Sequence, residues 1–465
     1  MSESLRDLLA RTAARIADYR DATADAAVFP AFDAGDVRAS LGGPLPEHAT
    51  PASAVVDQLA DAVAPALVTS TGPRYFGFVI GGALDAATCS DLLATGWDQN
   101  AYNALSSPAA AIVEEIAGAW LKELLGLPAS ASFGFATGAQ AANTIGLAAA
   151  RHHVLSVAGW DVEQEGLIGA PRVRVVAGEE RHATIDRTLR LLGLGTAVIE
   201  AVPADGNGAV DVARLAETLA SGPDAPTIVC LQAGNVNTGA VDDLAGAILF
   251  AHERGAWVHV DGAFGLWAGA SDATRHLVTG VADADSWACD GHKWLNVPYD
   301  CGFVFCAHPD AHAAAMRYTA AYLVGHDAIR SGGDYVLESS RRARGFATWA
   351  ALRQLGRAGI ADLVERCCAL ARHFAVELAR IEGIGVANEV VLNQVLVRFG
   401  SDDAHTDAVI DAVQRDGTCW MGATTWHGRR LMRISVSNWS TTEADVDRCV
   451  EVIGRVRAGL EARAV

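Results

Sequence analysis

Four places in this sequence hold residues whose types and surroundings could do chemistry. Asp261 closes the apolar run Trp257-Val258-His259-Val260. A carboxylate there needs a partner, because burying it unpaired is costly. Lys293 lies in Asp290-Gly291-His292-Lys293-Trp294, between two apolar runs. An amine in that setting is expected to be partly desolvated and so a better nucleophile. Thr137-Gly138-Ala139 opens an alanine-rich stretch. Small residues at a helix start let backbone N–H groups approach an anion, and the helix dipole favours a phosphate. His182 follows a valine-rich run. Each has an ordinary reading: packing for the turn, a cap or ion pair for the acid, a core or solvated group for the histidine, the surface for the lysine. One chemistry uses all four. Pyridoxal phosphate needs a lysine for its Schiff base, an acid for its pyridinium nitrogen, a phosphate cradle and flat groups against its ring.

The elements that must position these residues alternate. Ser132 to Ala136 reads as a strand and Gln140 to His153 as a helix. Arg172 to Ala177, Ala197 to Val202, Thr227 to Gln232, Trp257 to Val260, Ser286 to Cys289 and Gly302 to Cys306 read as further strands. Ala183 to Leu192 and Val241 to Arg254 read as helices closed by Gly193 and Gly255, where a left-handed cap needs no Cβ. Strands alternating with helices imply parallel pairing with crossovers, an α/β sheet covered on both faces. Ligands in such sheets sit at the carboxyl ends of the strands, where all four sites fall. After residue 340 the rhythm changes. Val390 to Phe399 and Leu431 to Val436 read as strands, and Ser440-Thr441-Thr442-Glu443 as a capping box before a helix. The expected division is an N-terminal helical segment at 1–72, a large domain at 73–340 and a small α+β domain at 341–465.

Composition narrows the partners. The 465 residues carry a net charge of −19, which argues against nucleic acid and anionic membrane surfaces. No apolar run is long enough for a membrane span. Residues Met1 to Arg20 mix acids with arginines on a helix with an apolar stripe, which suits a surface or dimer-interface helix rather than a targeting segment. The nine cysteines are scattered, which fits a reduced cytoplasmic chain with no metal or disulfide framework.

Several stretches together resemble the group II pyridoxal-phosphate decarboxylases, of fold type I. They are Pro73-Arg74-Tyr75-Phe76-Gly77-Phe78, Phe135 to Asn143, Val258 to Ala263, Ala284-Asp285-Ser286-Trp287, His292-Lys293-Trp294 with Val297 to Gly302, and Ser340-Arg341-Arg342. The likeness runs from about Pro73 to Val450. It implies a transferase-like large domain with a mainly parallel seven-stranded sheet, and a homodimer. It also implies roles. Lys293 resembles the Schiff-base lysine and Asp261 the pyridinium partner. Ala263 and His182 would take the two ring faces. Thr137, Gly138 and Ala139 resemble the phosphate loop, with His292 beside it. Arg433 resembles an arginine that meets the substrate carboxylate. The loop departs from the family pattern at Ala139 and Gln140, and Gly234-Asn235-Val236 stands where Gly-Thr-Thr is usual.

The implied reaction is decarboxylation of a small L-amino acid through a Lys293 aldimine. Proton return to Cα would fall to His182 or to Tyr335 on a loop, Ala328 to Ser340, hinged at Ser331-Gly332-Gly333. The alternative is an ordered turn with Tyr335 packed down. Tyr75, Phe76, Phe78, Trp97 and Tyr102 lie where a substrate entrance would be, or are core. Competing outcomes on the same cofactor residues are transamination, carbon–carbon lysis and oxidative decarboxylation to an aldehyde. A cofactor-free binding relative is the alternative of another class.

Overall fold

The structure, a computed structural model, describes residues 3–318 and 329–464. Its large sheet has seven strands: β1 Ser132–Ala136, β2 Arg174–Gly178, β3 Ile199–Val202, β4 Thr227–Gln232, β5 Trp257–Asp261, β6 Ser286–Asp290 and β7 Gly302–Cys306. Their order across the sheet is β1-β7-β6-β5-β4-β2-β3. Pairings from β6 through β3 are parallel, and β7 runs against both of its neighbours. Every residue of β1, β2, β4, β5, β6 and β7 is buried. That explains why these strands read as continuous apolar runs and not as alternating ones. Only β3, at the edge, is half-exposed.

The helix Ala139–Val157 covers one face of the sheet and packs on β5, β6 and β7. Its alanines and glycine are a consequence of close approach. A Cβ at Gly146 would lie 2.7 Å from the ring of His259 on β5. The second sheet has four antiparallel strands in the order β10-β11-β9-β8: β8 Ile384–Val386, β9 Gln394–Phe399, β10 Gly422–Trp426 and β11 Arg429–Ser435. The sequence reading expected two. The missed pair are a three-residue strand containing glycine and a half-exposed one rich in threonine, neither of which makes an apolar run. The expected strand from Val390 begins only at Gln394.

The helix Gly345–Ala379 packs on β8 and β9 and on the helix Pro108–Leu125, and is broken at Gly356, whose φ of 61° is open to glycine at little cost. The C-terminal helix Glu443–Ala464 is capped two residues beyond the expected box. Thr442 accepts the Asp445 N–H, and Asp445 accepts the Thr442 N–H in return. Ser440 instead bonds Asn438. Among the described residues no helix is long and apolar enough to cross a membrane.

Among the described residues one ion pair lies wholly inside. Arg341 grips Glu114 through two bonds of 2.6 Å, and both side chains are 1% exposed. The pair joins the helix Pro108–Leu125 to the segment leading into Gly345–Ala379. Removing one partner leaves the other charged and buried. Glu114→Ala is expected to cost about 3–5 kcal/mol of unfolding free energy. Urea denaturation would measure it, and a loss below about 1 kcal/mol would contradict this account.

Candidate active site

The carboxyl ends of β4, β5 and β6 meet the starts of the helices Ala139–Val157 and Ala183–Leu191 around a cavity of about 270 Å³. Gly138, Ala139, His182, Asp261, Ala263, His292 and Lys293 all line it. Thr137 precedes them at the end of β1 without lining the cavity.

Asp261 sits at the base. Its Oδ2 accepts from Asn143 Nδ2 at 3.1 Å and Thr184 Oγ1 at 3.4 Å, and its Oδ1 accepts the Ala263 N–H at 3.3 Å. No cation among the described residues pairs with it. The donors behind it form a directed chain. Trp257 can only donate, so its indole N–H gives to Ser286 Oγ at 2.9 Å. Ser286 then gives its own proton to His259 Nδ1, and His259 Nε2–H gives to Asn143 Oδ1, both at 2.8 Å. Burial pushes His259 down to about 4, so the ring stays neutral and the chain keeps its direction.

His182 caps the helix Ala183–Leu191. Its Nδ1 accepts the Thr184 N–H at 3.3 Å and lies 2.9 Å from Thr184 Oγ1, so the ring proton sits on Nε2 and the Thr184 hydroxyl proton is shared between His182 Nδ1 and Asp261 Oδ2. Burial lowers its pKa, opposed by the nearby Asp261 charge and assisted by Lys293 and Arg433. His292 shares this design. Its Nδ1 accepts the Cys301 N–H at 3.1 Å, its ring stacks on Tyr299, and burial lowers its pKa.

Lys293 Nζ lies 3.1 Å from Asp290 Oδ2 and 5.9 Å from the centre of the Phe264 ring. The turn that presents it is clamped from outside. A Cβ at Gly81 would fall 1.9 Å from the Lys293 carbonyl oxygen. Asn296, in the left-handed region, accepts from Gly82 N at 2.5 Å and Trp439 N at 3.0 Å. Its amide nitrogen donates to Trp294 O and Ser437 O at 2.9 Å each. One side chain thus ties the lysine turn to Gly82 and to the segment Ser437–Trp439. Asp290, Asn143, Thr184, Asn296, Gly81 and Phe264 were not singled out in the sequence. Their parts come from contacts between distant segments, and only Asn143 and Asp290 lay in quoted stretches.

Other expected residues lie elsewhere. Arg433, on β11, donates to the Val236 carbonyl at 3.2 Å, just behind the cavity wall. Gln140 turns its amide to Thr188 Oγ1 at 3.0 Å. Tyr335 is not at the cavity. Its ring meets His312 and the Arg330 guanidinium, and its carbonyl accepts from His312 at 3.0 Å. Gly332 and Gly333 are buried against Arg341 and Tyr102, so this part is a packed turn and not an open hinge. Ala328 lies outside the described residues. Tyr75 and Phe78 stack on Trp420, Trp97 meets Phe346 edge-on, and Phe76 packs in the core, none of them lining the cavity.

A strand-end carboxylate with donors but no cation is completed by a ring N–H, and an amine and a helix-start cradle stand beside it. This fits pyridoxal phosphate, and the fold is that of the fold-type-I pyridoxal-phosphate enzymes. A family model described as "Pyridoxal-dependent decarboxylase conserved domain" matches residues 35–400, and the chain belongs to that family of pyridoxal-phosphate carboxy-lyases. It is 27% identical to tryptophan decarboxylase 1 of Oryza sativa subsp. japonica, over 97% of this chain and 93% of that protein. It is 26% identical to phenylacetaldehyde synthase of a Rosa hybrid cultivar, over 77% of this chain and 72% of that one. The structure of Oryza sativa TDC with PLP and tryptamine superimposes with a TM-score of 0.91 at 24% identity, covering 98% of both chains.

His182 is expected to be mainly a neutral Nε2–H ring at pH 6.5, where an ordinary histidine is half protonated. Its lowered pKa moves the midpoint of protonation, and of losing the Thr184 cap, below that pH. Nitrogen NMR of the labelled ring would read the tautomer, and an imidazolium at pH 6.5 would contradict the assignment.

Proposed function

We propose that this chain releases carbon dioxide from an L-amino acid with an aromatic side chain, leaving the amine, with its cofactor carried on Lys293. The observation that carries this reading is the placement of the Lys293 amine, the Asp261 carboxylate and the neutral His182 ring around one cavity. Pyridoxal phosphate, when bound, supplies the electron sink for the bonding pair released at the substrate Cα. Asp261 would accept the cofactor's ring N–H, and its protein donors hold the carboxylate in place without neutralising it. His182 Nε2–H lines the cavity and offers a donor to a substrate carboxylate, while Arg433, bonded to the Val236 carbonyl behind the wall, adds positive charge to that side. Reaction choice on this cofactor is geometric, so the task of His182 would be to fix the orientation of the substrate carboxylate. Val236 and Phe264 supply apolar wall for an aromatic side chain. The tryptophan decarboxylase relative supports that substrate class.

The sequence contains two lysines, which makes the carrier easy to test. Lys122 gives its amine to the carbonyls of Ala129 and Ala131 at 2.5 and 2.7 Å. Borohydride reduction of the loaded protein should fix the label on Lys293 and leave Lys122 bare by peptide mass. Carbon dioxide release from tryptophan, tyrosine or phenylalanine should fall to background in Lys293→Ala. Label on Lys122, or release unchanged in the variant, would end the assignment. The phenylacetaldehyde synthase relative favours a second outcome, aldehyde in place of amine, which product analysis separates.

The same reading includes a homodimer. The helix Leu5–Ala22 buries no residue within one chain, and Leu5 and Leu9 are 71% and 58% exposed. Sedimentation should show a dimer that Leu5→Asp with Leu9→Asp shifts toward monomer. A wild-type monomer at micromolar concentration would refute this part alone.

A further inference from the structure

Asp290 is a residue of the cavity that the reaction above leaves without a task. It ends β6 and is 2% exposed. Its Oδ1 accepts the Ala139 N–H at 2.6 Å and lies 3.4 Å from His292 Nε2. Its Oδ2 lies 3.1 Å from Lys293 Nζ. Ala139 opens the helix Ala139–Val157, so its N–H is one of the donors that a helix start offers an anion. A carboxylate of the chain already holds it. The cradle is also tight, since a Cβ at Gly138 would lie 3.0 Å from His292 Cε1 and 3.4 Å from Asp290 Oδ1. A phosphate seated there meets the carboxylate at contact distance. Free phosphate monoesters carry about −1.5 to −2 charges at pH 7, with a second pKa of about 6. Like charges sharing a buried site cannot both stay fully ionised.

We propose that Asp290 makes this site take the cofactor phosphate as its monoanion, with one proton held between a phosphate oxygen and the Asp290 carboxylate. The inference rests on placing the phosphate at Gly138 and Ala139. A dianion from solution takes up one proton on binding, its new O–H donates to Asp290, and no bond to phosphorus changes. The surroundings offer little other compensation. On its own turn Asp290 faces Lys293, whose amine is committed to the cofactor aldehyde, and His292, whose pKa burial lowers. Burial also pushes up the Tyr299 phenol and the thiols of Cys289 and Cys301. Asp300 is taken by Arg344 at 2.8 Å. From β5 comes Asp261, a further negative charge, and from the helix Ala183–Leu191 comes His182, whose pKa burial lowers, with Arg433 behind it.

The test is equilibrium binding of pyridoxine 5′-phosphate to the full chain stripped of cofactor, from pH 6.5 to 8.5. This probe has the phosphate but no aldehyde, so it forms no bond at residue 293, and every protein in the test carries Lys293→Met so that no free ammonium stands 3.1 Å from Asp290. Binding that takes up one proton weakens about tenfold per pH unit above the ligand's second pKa, about a hundredfold over this window. Asp290→Asn keeps the side-chain shape and removes the charge. It should flatten that slope and bind at least tenfold tighter at pH 8.5. Pyridoxine without phosphate should show no slope in either protein. A pH-independent affinity with Asp290 intact, or the same slope in Asp290→Asn, overturns the proposal and leaves the cofactor site standing. No binding of the probe at any pH overturns both. Should Asp290→Asn not fold, phosphorus NMR of the loaded wild type at pH 8 decides, a monoanion resonance supporting the proposal and a dianion resonance overturning it.

Discussion

The structure is organised around the cost of keeping the Asp261 carboxylate at the inner end of a buried strand. Such a group is tolerated only where donors surround it. Here they are recruited from three directions. The helix over the sheet gives Asn143, the helix start beyond β2 gives Thr184, and the chain just past the strand gives the Ala263 amide. Behind Asn143 the chain of His259, Ser286 and Trp257 runs through the sheet from β5 to β6 and has only one proton arrangement. An amide, a ring and a hydroxyl that might each flip are thereby fixed. The acid keeps its acceptor face toward the cavity because everything behind it is a donor.

Close packing is the second condition, and it explains composition. The donor chain exists only if the helix Ala139–Val157 lies near the sheet, which Gly146 and the surrounding alanines allow. At the cavity mouth the same economy recurs. A Cβ at Gly302 would come within 2.5 Å of Gly138, so β7 and the cradle touch backbone to backbone. The richness in small residues is therefore local to the interfaces that set the site.

Much of this was legible in the residues. Ser132–Ala136, Thr227–Gln232 and Gly302–Cys306 were read at the bounds the structure has, because fully buried strands are unbroken apolar runs bounded by turn residues. Lys293, Asp261 and His182 were legible because polar residues at the ends of such runs stand out. The small sheet was half-read, since Gly422–Trp426 is half-exposed and polar, and the break at Gly356 obscured the period of the helix Gly345–Ala379. Asn143, Asp290 and Asn296 could not be found by periodicity. Each is defined by a partner far away in the chain or by the backbone it meets. Tyr335 was offered as either loop acid or packed residue, and within one chain it is packed on His312.

The reversed strand β7 has a consequence for how the site comes apart. β6 and β7 form a hairpin in register from Ser286–Cys306 to Asp290–Gly302, and Lys293 sits on its connecting turn. A hairpin is a local structure that closes cheaply. Asp261, by contrast, gains its donors only through crossovers that bring separate segments together. Partial opening of the molecule would thus strip the acid of its setting while the amine still rides on its hairpin. Such a loosened chain could still capture an aldehyde, but without the means to activate it.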